Sequence, residues 1–203
     1  MSVIEVFADV GCPFTHLGLL RFVERRSELG RDDVQLWVRG WPLEIVNGAP
    51  LDPHFIAEEV ADLRRQVAPR SFVGFRETSF PATSLPALAL AVAAYEEDLA
   101  TGERVSLALR DLLFEQGEDV ADPEVLDALA AQHGLVVDLD DTSQVLADHA
   151  EGVERGVIGS PHFFTPTGGF FCPALDVQRD QDGHLRITAD PDGFDRFIAS
   201  CLG

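Results

Sequence analysis

Val3-Ile4-Glu5-Val6-Phe7-Ala8-Asp9-Val10-Gly11-Cys12-Pro13-Phe14-Thr15-His16-Leu17 begins as one kind of structure and ends as another. Residues 3–8 read as a short buried strand, and Val10-Gly11 reads as a turn. From Pro13 onward the apolar residues Phe14, Leu17, Leu20 and Val23 recur at helical spacing, and Gly30 supplies a stop. A second alternating stretch, 34–38, runs on to Trp41-Pro42. Strand, helix and strand in that order imply a right-handed crossover, which makes the two strands parallel neighbours.

Working outward, the chain from 46 to 155 turns helical. Asp52-Pro53 and Asp122-Pro123 each place a capping carboxylate before a proline suited to the first helical position. With 84–95, 103–116 and 141–155, they predict five helices. The Ala- and Leu-rich stretch 84–95 is too short to span a bilayer and reads as helix-on-helix core.

Strands return at 162–165 and 170–175, flanking Pro166-Thr167-Gly168-Gly169 as an antiparallel hairpin. The register this implies sets Thr165 against Phe170 and Phe163 against Cys172. A further strand is expected at 185–188 after the turn Asp180-Gln181-Asp182-Gly183, and Asp190-Pro191 opens a last helix. The order predicts an α/β fold with one mixed sheet. No linker divides the chain, so 1–203 reads as one domain, with 1–45 and 156–203 as its core and 46–155 as an all-helical insertion.

Composition excludes several functions. The chain carries 35 acidic against 15 basic residues, all of the latter arginine, for a net charge of −20. A field of that sign repels nucleic acid and anionic membranes. The N-terminus lacks a basic region, a long apolar run and a cleavage site, which predicts a cytoplasmic protein. Three cysteines, Cys12, Cys172 and Cys201, are an odd number and do not indicate a disulfide framework. His54, His133, His149 and His184 lack metal-ligand spacing and read as surface residues, so no metal site is expected.

Cys12 lies between the end of the first strand and the first turn of a helix. Free N–H groups and the positive end of the helix dipole favour a thiolate there, which predicts an acidic, nucleophilic thiol. A second signal is Gly159-Ser160-Pro161-His162-Phe163, a proline directly before the hairpin strand. That strand runs antiparallel to the first, so its beginning lies beside Cys12, and a cis Ser160-Pro161 bond would aim the Ser160 backbone at whatever the sulfur binds.

Cys12-Pro13-Phe14-Thr15 and 156–163, with helices between, resemble the DsbA-like thioredoxin superfamily over essentially the whole chain. Within it, residues 9–18 resemble the FrnE-type dithiol oxidoreductases, and also the kappa-class glutathione transferases and hydroxychromene-carboxylate isomerases. The resemblance implies a thioredoxin-like mixed sheet and a catalytic Cys12 with Thr15 beside it. Thr15 stands where dithiol members carry a second cysteine, so a mixed disulfide on Cys12 needs an outside thiol or a remote cysteine to resolve it.

Cys172 is the remote candidate, but two strands away the lateral gap is ~10 Å, beyond disulfide reach, and an inert, packed role is preferred. Cys201 reads as a buried or frayed terminal residue. Pro13, Phe14, His16, Trp41, Ser160, Pro161 and His162 are the candidate substrate-binding residues. Trp41 would either cover an organic substrate or close the insertion onto the sheet. Glu5, an acidic residue in a central strand, is a candidate proton relay.

Three functions compete. The first is a single-cysteine thiol-disulfide oxidoreductase with a low-molecular-weight thiol as cosubstrate and no tightly bound cofactor. The second is a thiol-dependent isomerase or transferase of a small aromatic compound, and the third is a non-catalytic binding module. None fixes an oligomeric state.

Overall fold

The computed structural model describes residues 2–180 and 184–203. In chain order the elements are β1 (Ser2–Ala8), α1 (Pro13–Glu28), β2 (Val34–Gly40), α2 (Leu43–Asn47), α3 (Pro53–Gln66), α4 (Leu85–Glu97), α5 (Leu99–Asp111), α6 (Pro123–Gln132), α7 (Ser143–Glu154), β3 (His162–Thr165), β4 (Gly168–Phe171), β5 (Leu175–Arg179), β6 (Leu185–Ala189) and α8 (Pro191–Leu202). β1 and β2 are parallel, from Ser2 against Val34 to Ala8 against Gly40. β3 pairs antiparallel with the other side of β1, and β4 with β3, so the order is β2-β1-β3-β4. Among the described residues this is a mixed, thioredoxin-like sheet with eight α-helices.

Alternation along β1 sorts the two faces. Ile4, Val6 and Ala8 pack with Leu19 and Phe22 of α1 and Phe197 of α8. Phe7 points the other way, into a cluster with Trp41 and Val157. Side chains cover the outer edge of β2, leaving it no free ladder donors at three positions. Leu36 N–H donates to Glu103 (2.7 Å), Val38 N–H to the Tyr95 hydroxyl (2.9 Å) and Gly40 N–H to Asp148 (3.2 Å). Among the described residues no helix is long and apolar enough to cross a membrane.

The insertion holds the five expected helices, preceded by the single turn α2. The helix expected from 103 starts at Leu99 because the Asp98 carboxylate caps it, accepting from Thr101 N–H at 2.9 Å. It ends in a wider, π-type turn, Leu112–Gln116.

The hairpin differs from expectation by two residues. Thr165 faces Gly168 and Phe163 faces Phe170, so Pro166-Thr167 alone makes the turn. Gly168 permits this with a φ of 142°, which side chains rarely adopt. The strand expected over 170–175 breaks at Cys172, whose φ is 45°, and at Pro173, which has no N–H to donate. The chain then leaves the sheet, and β5 and β6 form a separate two-stranded sheet. That sheet docks on α3, where Asp62 accepts from Leu185 N–H (2.9 Å) and Gln66 from Ile187 N–H (2.9 Å). Of the expected turn Asp180-Gln181-Asp182-Gly183, the last three residues lie outside the described residues.

Candidate functional site

Cys12 is the N-cap of α1, with extended backbone (φ −84°, ψ 113°), and its carbonyl accepts from His16 N–H at 3.2 Å. Its side chain is nearly covered, at 4% exposure. The thiol donates to the Ser160 carbonyl at 3.2 Å. Ser160 ties three parts of the chain together. Its hydroxyl accepts from Asp9 N–H (2.9 Å), beyond β1, and hydrogen-bonds the Thr15 hydroxyl (2.7 Å), in the first turn of α1. The Ser160–Pro161 peptide bond, just before β3, is cis.

Burial pushes the Cys12 thiol above the ordinary cysteine value, against the opposing pull of the Thr15 hydroxyl and N–H and of Ser160, and the Glu59 carboxylate pushes it further up. This runs against the expectation of an acidic thiol. The helix start offers a thiolate ~0.3–1 kcal/mol when exposed, and removing that charge from water costs more.

Beneath Cys12 lie two buried charged residues that sequence reasoning missed, Asp9 and Arg110, whose guanidinium reaches the Asp9 main-chain carbonyl rather than its carboxylate. Asp9 is fully buried, and its carboxylate accepts from Gly11 N–H (2.7 Å), Leu43 N–H (2.6 Å) and the Ser84 hydroxyl (3.1 Å). Burial raises its pKa, against those bonds and the charge of Arg110. Arg110, also buried, donates to the carbonyls of Asp9 (3.2 Å) and Ser106 (2.7 Å). Burial lowers its pKa to about 10, with Asp9, Tyr95 and Cys12 acting to hold its charge. Its Nε has no partner among the described residues. The one sequence signal was the line of small residues leading to it, Gly102 and Ser106 one turn apart, which lets the helix sit close to its neighbours.

The structure gathers Cys12, Pro13, Phe14, Thr15, Ser160 and Pro161, and disperses three of the other candidates. His16 is buried on the insertion side of α1, between Phe72 and Phe114, with Nε2 2.9 Å from Glu115. Burial lowers its pKa, and it locks helices together. Trp41 does not cover the thiol: it sits edge-on to Phe7 and against His149, over Gly152, where a Cβ would come within 2.6 Å of the ring. It closes α7 onto the sheet, and it makes His149 a packed residue. His162 lies on the Phe7 face, stacked on Phe164 at 4.8 Å. Glu5 is ion-paired with Arg155 (2.6 Å) on that same face and is no relay below the thiol.

Cys172 moves the other way. The two-residue turn leaves it opposite Pro161, with its N–H on the Pro161 carbonyl (3.1 Å). It lines a cavity of about 380 Å³ with Phe14, Ser160, Phe171, Asp176 and Val177. Burial, and next the Cys12 charge, push its thiol up to about 12. Cys201 is buried in the α1/α8 core, and burial pushes its thiol up to about 12 as well.

A family model for the DSBA-like thioredoxin domain matches residues 3–181. A search of curated proteins returned no match. Among solved structures, the chain is similar to the cytosolic disulfide reductase DsbM from Pseudomonas aeruginosa, at 17% identity over 97% of both chains with a TM-score of 0.61. A second structure of that reductase, with GSH, aligns at 16% identity over 97% of both chains with a TM-score of 0.58. A 2-hydroxychromene-2-carboxylate isomerase aligns at 15% identity over 83% of this chain and 88% of its own, with a TM-score of 0.57.

Proposed function

This chain belongs to the DSBA-like thioredoxin family, and within it we propose a thiol-disulfide oxidoreductase in which Cys12 alone reacts and a low-molecular-weight thiol restores it. The observation that carries this reading is the Cys12 thiol held 3.2 Å from the Ser160 carbonyl at the start of α1, with a hydroxyl, Thr15, in place of a second thiol. The Cys12 thiolate attacks one sulfur of a disulfide R–S–S–R. A Cys12–S–S–R bond forms, and RS⁻ leaves. An outside thiolate then attacks the sulfur of the R group, and Cys12 departs as thiolate. Thr15 and Ser160 orient the sulfur, while Arg110 balances charge beneath it. The chemistry needs no tightly bound cofactor and suits a reducing cytoplasm.

The test is thiol-dependent reduction of a small disulfide by the purified chain, with Cys12→Ser as control. Turnover that vanishes in the variant, with a Cys12 adduct seen by mass spectrometry, supports the reading. Turnover that survives the substitution overturns it. The aromatic lining beside Ser160 favours one second reading, thiol-dependent isomerisation of an aromatic compound, which would consume no reductant.

A further inference from the structure

The cavity beside Ser160 has an unusual charge content for a site that handles small thiols. Phe14, Phe171 and Val177 give it apolar walls, with Phe171 and Val177 partly open to solvent, and among the described residues Asp176 is its one charged side chain. No arginine or histidine among the described residues lines it. The arginines nearby are engaged elsewhere. Arg21 donates to the carbonyls of Ala174 and Val67 (both 3.3 Å), Arg179 to Glu59 (3.3 Å), and Arg110 lies behind Cys12 on Asp9 and Ser106. A carboxylate brought to this cavity meets Asp176 and the field of a chain with net charge −20, while Arg21, the cation that acts on Cys172, lies outside the lining on two main-chain carbonyls.

We propose that the thiols and disulfides exchanged at Cys12 carry apolar groups that are neutral or cationic, and that Asp176 enforces this by excluding anionic ones. The inference rests on Cys12 being the reacting thiol. It concerns the R group of the exchange: RS⁻ leaves on attack by Cys12, and an outside thiolate of the same class later attacks the R-bound sulfur, takes the RS group as a disulfide and releases Cys12 as thiolate.

The experiment compares two chromogenic aromatic disulfides, neutral 4,4′-dithiodipyridine and the dianion 5,5′-dithiobis(2-nitrobenzoate), with modification of Cys12 verified by peptide mass. Each rate is divided by that of free cysteine under the same conditions. The corrected preference for the neutral reagent should be about tenfold or more at low salt, shrink at 0.5 M NaCl, and fall about threefold in Asp176→Asn. Equal corrected rates, or a preference that Asp176→Asn leaves untouched, overturn the proposal while the thiol reading stands. Failure of both reagents to modify Cys12 overturns both.

Discussion

The Cys12 thiol donates to the carbonyl of Ser160, 3.2 Å away and 148 residues along the chain. A bond made by the S–H proton favours the neutral thiol, and ionisation would leave the sulfur charge facing a carbonyl oxygen. Burial acts in the same direction. The alkylation rate of Cys12 should therefore rise with pH through a midpoint above the free-cysteine value of ~8.5. The measurement is iodoacetamide labelling from pH 6 to 10, resolved by peptide mass. A midpoint below 8 would show that the helix start outweighs desolvation after all.

Thr15 separates this site from a dithiol one. Its hydroxyl is fully buried, bonds the Ser160 hydroxyl and lies close enough to Cys12 to lower its pKa. Thr15→Cys should place a second thiol against the first, so that mild oxidation yields an intramolecular disulfide, a mass loss of about 2 Da and two protected thiols. The lost hydroxyl bond should cost about 1 kcal/mol. An oxidised variant that shows only external adducts would mean the two side chains cannot reach each other.

Arg110→Met removes a buried guanidinium that donates to the Asp9 and Ser106 main-chain carbonyls and whose charge favours the Asp9 carboxylate. Losing charged donors to buried carbonyls destabilises by about 1.5–3 kcal/mol, and urea unfolding should show a loss of that size. Arg110→Lys should recover part of it, since a cation stays in place without the fork. Alkylation of Cys12 in the lysine variant should titrate nearer to the parent than in the methionine variant. A loss under 1 kcal/mol in Arg110→Met would assign the Asp9 environment to its hydrogen bonds alone.

The features legible in the sequence were those with local causes. Cys12 before Pro13, Gly30 after α1 and the carboxylate-proline starts at Asp52, Asp122 and Asp190 all act within a few residues, and the structure places their elements accordingly. The proximity of Ser160 to Cys12 followed from strand order alone. The hairpin register did not follow, because Gly168 and Gly169 suit a four-residue turn as well as the start of β4, where they pair with Thr165 and Phe164. His16 and Trp41 were near the thiol in sequence or strand position, yet a helix turns a neighbouring side chain by about 100° per residue, and strand alternation puts the next one on the far face. Arg110 was invisible for the same reason: on an amphipathic helix a lone arginine reads as solvated until its neighbours are known.

Glu59 gives a pH dependence with a definite sign. It lies on α3, 9% exposed, with its carboxylate 3.3 Å from Arg179, and burial raises its pKa to about 7 against that charge. Unfolded, the group titrates near the ordinary ~4.3. Between those values the folded chain holds more protons than the unfolded one, so stability drawn from this group is complete below the unfolded value and is lost as pH rises to about 7. Glu59→Gln carries no charge to desolvate. Its Tm should match the parent near pH 4 and exceed it above pH 7, by the equivalent of about 1–3 kcal/mol. The same substitution removes a carboxylate that raises the Cys12 thiol, so the alkylation midpoint should move down in the variant. Both shifts share one cause and should appear together. A Tm gap that is equal at pH 4 and pH 8, or a Cys12 midpoint that stays put while stability changes, would separate Glu59 from the thiol and confine it to its contact with Arg179.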